Sequence, residues 1–280
     1  MSKIAIPFIA KSFFAYQQFS HNRKNILLTF ADTESALKAY KQLQFIASNP
    51  AHEILYFPSL DTVPYDRISP HNDILSTRAR VLSTLSNDTS AKIIVTAAEN
   101  LLLKLPPKEI FSKNSLTLKT GMKNTLEEIA TFLVNNGFKK ISSAIESGEF
   151  AIRGEIIDIV TNQEKGYRIY FGWDNIETIK QYNLQTQIST RKIAELHLTS
   201  ASEIFLNSDT ITNFKNNFLK LFGVNHVASP VYKSITSGQK FQGYEHLMPL
   251  FYNKMITLDE YLSEHSIIYD NLALQATLEY

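Results

Sequence analysis

Apolar residues in the first hundred positions alternate between short continuous runs and stretches with helical spacing. Residues 25–30 (NILLTF), 53–57 and 92–96 (KIIVT) are runs of strand length, the pattern of strands buried on both faces. Between the first two, Leu37, Tyr40, Leu43 and Ile46 recur every three residues behind Asp32, a residue type whose carboxylate caps helix N-termini. Ser69-Pro70-His71 opens a second helical stretch through Ile74, Ala79, Val81, Leu82 and Leu85, and a short helix through Leu103 follows the third run. Strands alternating with helices predict an α/β fold with a mainly parallel, three-layer sheet.

Pro106-Pro107 breaks this rhythm, and a new segment starts near Ser112. Leu126, Ile129, Phe132 and Leu133 form one apolar stripe on a helix over 125–135, closed by Gly137. Four strand-like runs follow, at 150–160, 167–171, 176–182 and 192–198, and predict a small α+β domain with a meandering sheet. Gly148 and Gly154 flank the first alternating piece, so the pattern predicts a strand, a kink at Gly154, a second strand through Ile156 to Val160 and then a hairpin partner. That arrangement presents Arg153 and Arg168 on one small β-surface. The chain turns helical again over 210–222 and ends with a helix tail leading to the strand-like SIIYD at 266–270.

Composition narrows the function classes. With 280 residues and 44% apolar content, the chain can bury one large core or two to three small ones. A formal net charge of +1 gives no general basic field, so any nucleic-acid contact needs a local patch. There are no cysteines, which excludes disulfides and thiolate metal sites and fits a reducing cytoplasm. The N-terminus is too short and interrupted for a signal segment, and no apolar run is long enough to span a bilayer, so a cytoplasmic location is expected.

Catalytic signatures are missing. A phosphate-cradling loop needs glycines ahead of a Lys-Ser/Thr pair, and the first glycine is Gly121. Lys11-Ser12, Lys119-Thr120 and Lys233-Ser234 match only the final two positions of that motif. The seven histidines show neither i, i+4 spacing nor an HExxH run, and there is no G-x-S-x-G elbow. No catalytic residue, nucleotide site, metal site or cofactor is therefore expected. The stretch from Phe57 to His71 stands apart, because Pro58, Pro64 and Pro70 fix an extended loop at the carboxyl end of a strand, where α/β proteins place sites. It reads either as a rigid crossover in which Asp66 and Arg67 cap or pair locally, or as the relic of a site. Two readings of Arg153 and Arg168 also stay open. They are structural, pairing with Glu149, Glu155 or Asp158, or they are an exposed pair flanked by Tyr170, Phe171 and Trp173, the mixture enriched in interface hot spots.

Three blocks carry a resemblance. They are Phe57-Pro58 through Asp66 with Ser69-Pro70-His71-Asn72-Asp73-Ile74, then Gly148 through Gly154 with Asp158-Ile159 and Tyr167-Arg168, then Gly243-Tyr244-Glu245 with Pro249-Leu250-Phe251. In this order the chain resembles the N-terminal, UvrB-like region of the bacterial transcription-repair coupling factors (Mfd). The resemblance implies a RecA-like, degenerate helicase domain 1a over 1–111, an inserted α+β domain 2 over 112–200, and a return segment, domain 1b, over 201–280 that completes the first sheet. It implies a module without ATPase activity whose domain 2 binds UvrA, bringing the excision-repair machinery to stalled RNA polymerase. Contacts with polymerase and DNA would belong to family regions beyond this chain, which ends before the translocase motor. The carried-over contact residues are Arg153 and Arg168. The family's third contact, a phenylalanine, falls on Gly172, with Phe171 and Trp173 on either side. The competing expectations are a DNA-binding, helicase-like enzyme with residual ATP binding, and a truncated remnant without a partner.

Overall fold

The computed structural model describes residues 6–63, 66–270, 272–273 and 275–276, so Pro64 and Tyr65 of the proline-rich stretch lie outside the described residues. The chain divides into two compact units, one of residues 1–59, 84–105 and 256–280, the other of 60–83 and 106–255.

The first unit is built on β1 (Asn25–Phe30), β2 (Ile54–Phe57), β3 (Ile93–Ala97) and the late strand β12 (His265–Tyr269). All four are parallel, in the order β12-β1-β3-β2. Every residue of β1 and β3 is buried, as their continuous apolar runs require for strands covered on both faces. Helix α1 (Phe8–Asn22), for which the sequence pattern gave no element, turns Ala15 and Phe19 inward. Helix α2 (Thr33–Ile46) begins at Asp32, whose carboxylate accepts the Ser35 N–H at 2.8 Å. Its most buried positions are Ala36, Ala39 and Leu43, with Tyr40 and Ile46 packed at the margin of the same core. A helical turn, α3 (Pro50–Glu53), delays the second strand to Ile54. The terminal strand-like run pairs with β1 on the side opposite β3, so the chain's return completes this sheet.

Helix α4 (Asn72–Asn87) leads out of the proline-rich stretch. The second unit then runs through α5 (Lys108–Lys113), β4 (Leu116–Lys119), α6 (Leu126–Asn135) and β5 (Lys139–Lys140). Strands β6 (Glu149–Arg153), β7 (Ile156–Val160), β8 (Gly166–Phe171), β9 (Ile176–Tyr182) and β10 (Ser189–Ile193) form an antiparallel meander, with β5 parallel to β6 at its edge. The run at 192–198 is two strands, because β11 (Glu195–Leu198) leaves the meander and pairs with β4. Helix α6 starts with a capping box between Thr125 and Glu128 and lays Ile129 and Leu133 on Phe150, Ile157, Ile159, Ile169 and Phe171. Helices α7 (Ser208–Phe222), α8 (Pro230–Thr236) and α9 (Met248–Phe251) enclose an aromatic cluster centred on Phe214, Phe218 and Phe251. Arg78 of α4 and Glu203 form a fully buried ion pair in the same unit. The molecule is thus mixed α/β, with one parallel sheet and additional small sheets. No helix among the described residues is long and apolar enough to cross a membrane.

Candidate docking face

The meander packs one face on the main core; on the other, Ala151, Val160 and Tyr182 are buried in a smaller cluster with Ala144 and only the Arg153 end is exposed, and strand periodicity decides which side chains go where. Phe150 and Ile152 of β6, Ile157 and Ile159 of β7, Tyr167, Ile169 and Phe171 of β8, and Ile179 of β9 pack into the core. Their neighbours therefore point outward, and the registers align them in three rows: Arg153–Ile156–Tyr170–Thr178, Ala151–Asp158–Arg168–Lys180, and Glu149–Val160–Gly166–Tyr182. Arg153 and Arg168 share this outer face, two strands and one row apart.

Their environments differ. Arg168 clasps the buried Asp158 directly opposite, donating from Nε at 2.7 Å and Nη2 at 2.9 Å. Its Nη1 donates to the Gln187 carbonyl at 3.3 Å and the Ser189 hydroxyl at 3.4 Å. The guanidinium carbon lies 5.0 Å from the centre of the Tyr182 ring. Tyr182 crosses Gly166, where an added Cβ would sit 2.1 Å from the ring, and donates its hydroxyl to the Ala144 carbonyl at 3.1 Å. Burial pushes the Tyr182 phenol above its ordinary pKa, so it remains a neutral donor. Arg153 is exposed at the strand end, with Nη2 donating to the Ser142 carbonyl at 3.3 Å and the Ser143 hydroxyl at 3.0 Å. Of the three acids considered as arginine partners, Asp158 takes Arg168, while the Glu149 carboxylate accepts the N–H groups of Ile145 and Glu146.

Aromatic residues separate by the same periodicity. Phe171 is 6% exposed and belongs to the core, whereas Trp173 stands fully in solvent at the β8–β9 turn. Strands β6 and β8 run in the same direction, so Trp173 leaves the end of the sheet that carries Arg153. Gly172 lies between the two aromatics, and its N–H donates to the Asn175 carbonyl at 2.9 Å. A Cβ at Gly172 would meet Asn175 Oδ1 at 2.7 Å and Glu177 Oε1 at 3.0 Å, both ends of flexible side chains that can turn aside. Lys180 Nζ sits 4.8 Å from the Tyr170 ring centre on the same outer face, both half-buried. The buried supports Asp158 and Tyr182 were not singled out as site residues from the sequence. A lone carboxylate inside the run Ile156-Ile157-Asp158-Ile159-Val160 is the one signal that pointed to an internal partner.

The carboxyl end of the parallel sheet, where an α/β fold would hold a ligand, is taken up by the chain's own groups. Asp32 sits at the start of α2 and also accepts the Ser35 hydroxyl at 2.9 Å. The Ser35 N–H holds its carboxyl below the ordinary value, so a negative charge stands where a phosphate would have to approach the helix. Lys11 pairs with Asp270, just beyond β12. Asn100 donates to Thr96 Oγ1 at 3.0 Å and Ser59 Oγ at 3.1 Å. No group of His, Cys, Asp and Glu suited to a metal ion occurs among the described residues.

The proline-rich stretch is tied to the turn around Gly243. Ser69 Oγ donates to Glu245 at 2.7 Å and accepts the Gly243 N–H at 2.9 Å, and the Ser69 N–H donates to Gln242 at 3.2 Å. Gly243 has φ +81°, and a Cβ there would lie 2.7 Å from the Asp66 carbonyl oxygen. Asp66 accepts the N–H of its neighbour Arg67 at 2.7 Å.

Comparison with known proteins finds similarity to one family over the meander. The family model described as the UvrB interaction domain matches residues 116–204, which include the whole meander from β5 to β10. The chain is 49% identical over 275 residues to the transcription-repair-coupling factor of Rickettsia bellii, covering 98% of this chain and 24% of that protein. The corresponding factor of Rickettsia conorii is 50% identical over 277 residues, with the same coverage of 98% and 24%. That of Escherichia coli is 23% identical over 256 residues, covering 91% of this chain and 22% of the relative. The chain thus spans about a quarter of the length of the curated relatives it matches.

Proposed function

We propose that this chain, a homologue of the transcription-repair-coupling factors with a UvrB interaction domain at its centre, is a non-catalytic recruitment module that binds UvrA in the cytoplasm. In this reading residues 1–111, 112–200 and 201–280 act as domains 1a, 2 and 1b. Arg153, Arg168 and Trp173 serve the UvrA contact, and Phe171 supports it from the core side. Contacts with RNA polymerase and DNA fall to other parts of such factors. The observation that carries the proposal is the exposed end of the meander's outer face, where Arg153 lies one row from Arg168 and a fully exposed Trp173 leaves the same end as Arg153. Arginine and tryptophan are the residue types most enriched among interface hot spots. The internal bonding of Asp32, Lys11 and Asn100 at the parallel sheet favours a module without ATP turnover.

The test is titration of the chain with UvrA. Arg153→Ala and Trp173→Ala should each weaken binding by about 2 kcal/mol, with stability unchanged within about 0.5 kcal/mol because both side chains are exposed. Wild-type affinity in the double variant would sink the assignment.

A further inference from the structure

The second inference rests on the UvrA-docking proposal and concerns how the two arginines divide the work. All three guanidinium nitrogens of Arg168 are engaged inside the chain, by Asp158, the Gln187 carbonyl and the Ser189 hydroxyl. One face of the group lies on Tyr182. Its side chain is 16% exposed and that of Asp158 only 2%. A partner carboxylate approaching in the guanidinium plane therefore meets donors already taken by a fork-to-fork pair. Displacing Asp158 would leave a buried carboxylate without its cation.

What Arg168 does hold is the β9–β10 turn. Gln187 has φ +57°, a left-handed conformation uncommon for a residue with a side chain. Its carbonyl accepts from Arg168, and its side-chain amide donates to the carbonyls of Leu184 at 2.9 Å and Ala144 at 3.4 Å. Asn183 Oδ1 accepts the N–H groups of Gln185 and Thr186, which closes the turn. Arg153 is the opposite case. It is exposed, and among the described residues only its Nη2 donates to the chain.

We infer that Arg153 is the ionic contact, meeting an acidic group of UvrA, and that Arg168 is a positioning residue. Together with Asp158 and Tyr182, Arg168 fixes the 183–189 turn so that the face docks preorganised.

The experiment measures UvrA affinity at low and high salt for the full chain and for Arg153→Ala, Arg168→Ala, Arg168→Lys and Asp158→Asn, with amide exchange over 183–189 in the free chains. Arg153→Ala should weaken binding about tenfold or more and flatten its salt dependence. Arg168→Ala and Arg168→Lys should weaken binding alike, keep the wild-type salt dependence and speed exchange in the turn, because an ammonium cannot replace the fork. Asp158→Asn should weaken binding even though Asp158 is buried away from any partner. Restoration of affinity in Arg168→Lys, Asp158→Asn binding as well as wild type or tighter, or loss of salt dependence in Arg168→Ala overturns the division of roles while leaving the docking proposal intact. Wild-type affinity in both arginine-to-alanine variants overturns both. Should Asp158→Asn fail to fold, the comparison of lysine with alanine at Arg168 decides.

Discussion

The parallel sheet and the meander spend their polar residues in opposite ways. At the carboxyl end of the parallel sheet, Asp32, Lys11, Asp270, Thr96 and Asn100 all satisfy one another or a neighbouring backbone group. On the outer face of the meander, Asp158, Arg168 and Tyr182 do the same, but they lie behind a margin where Arg153 and Trp173 are left to solvent. In the function proposed above, internal satisfaction closes the first region and prepares the second. A bonded polar cluster is thus no sign, by itself, of a site or of its loss; what separates the two is whether hydrogen-bonding and aromatic groups remain exposed at its edge.

The largest stability effect should come from the support of the outer face. Gly166 stands directly opposite Tyr182 in the register, and the ring fills the place of a side chain there. Gly166→Ala forces Tyr182 off the sheet, breaking its bond to Ala144 and removing the surface under Arg168. Overpacking of this kind costs about 1–3 kcal/mol, to be read from the urea midpoint, and UvrA binding should fall with it. A Gly166→Ala variant with unchanged stability and affinity would show that the face needs no such support, and the likeness between the two clusters would then be superficial.

A smaller effect tests the closed region. Asp32→Ala removes the cap of α2 and should lower stability by about 1 kcal/mol. It also clears the negative charge from the helix start. The junction is Phe30-Ala31-Asp32-Thr33, without glycine, so no loop can wrap a phosphate and the variant should stay silent in calorimetric titration with Mg-ATP. Measurable ATP binding would make the parallel sheet a masked nucleotide site, and the contrast between the regions would collapse.

Much of this arrangement is legible in the sequence where the signal is local. Residues 25–30 form β1 with those bounds, Asp32 caps the helix as its position predicts, and the kink at Gly154 becomes the β6–β7 turn. Strand alternation places Arg153 and Arg168 on a common face, and the same parity sends Phe171 to the core. Non-local choices are not legible. Nothing in the order of residues says that Arg168 takes Asp158 rather than Glu149 or Glu155, because cross-strand register decides it. Nor does it say that β11 abandons the meander for β4. Helix α1 is not legible either, because its apolar residues do not keep to one side; Ile9 and Phe13 are exposed while Ala15 and Phe19 are buried.

The smallest effect concerns a charge held entirely for the fold. Lys92, at the entry to β3, is buried, and its ammonium donates to the Ser90 hydroxyl at 2.7 Å and the His52 carbonyl at 2.9 Å while pairing with Asp88 at 2.7 Å. Burial alone would raise the Asp88 carboxyl, but Lys92 and the Ser90 N–H and hydroxyl outweigh it and bring the value from 3.8 down to about 2. A carboxyl depressed by folding adds stability above its unfolded value and loses it as the pH falls through its folded value. The contribution should therefore be full above about pH 4 and gone near pH 2. The Asp88 side chain is 43% exposed, so solvent screening limits the gain to under about 1 kcal/mol. Urea titrations of wild type and Asp88→Asn at a series of pH values measure it as the gap between the two curves. That gap should stay constant above pH 4 and close below it; a gap that persists unchanged to pH 2 would mean that Asp88 is not acting through its charge. Binding of UvrA by Asp88→Asn should match wild type, because this pair belongs to the compact unit that does not contain the meander.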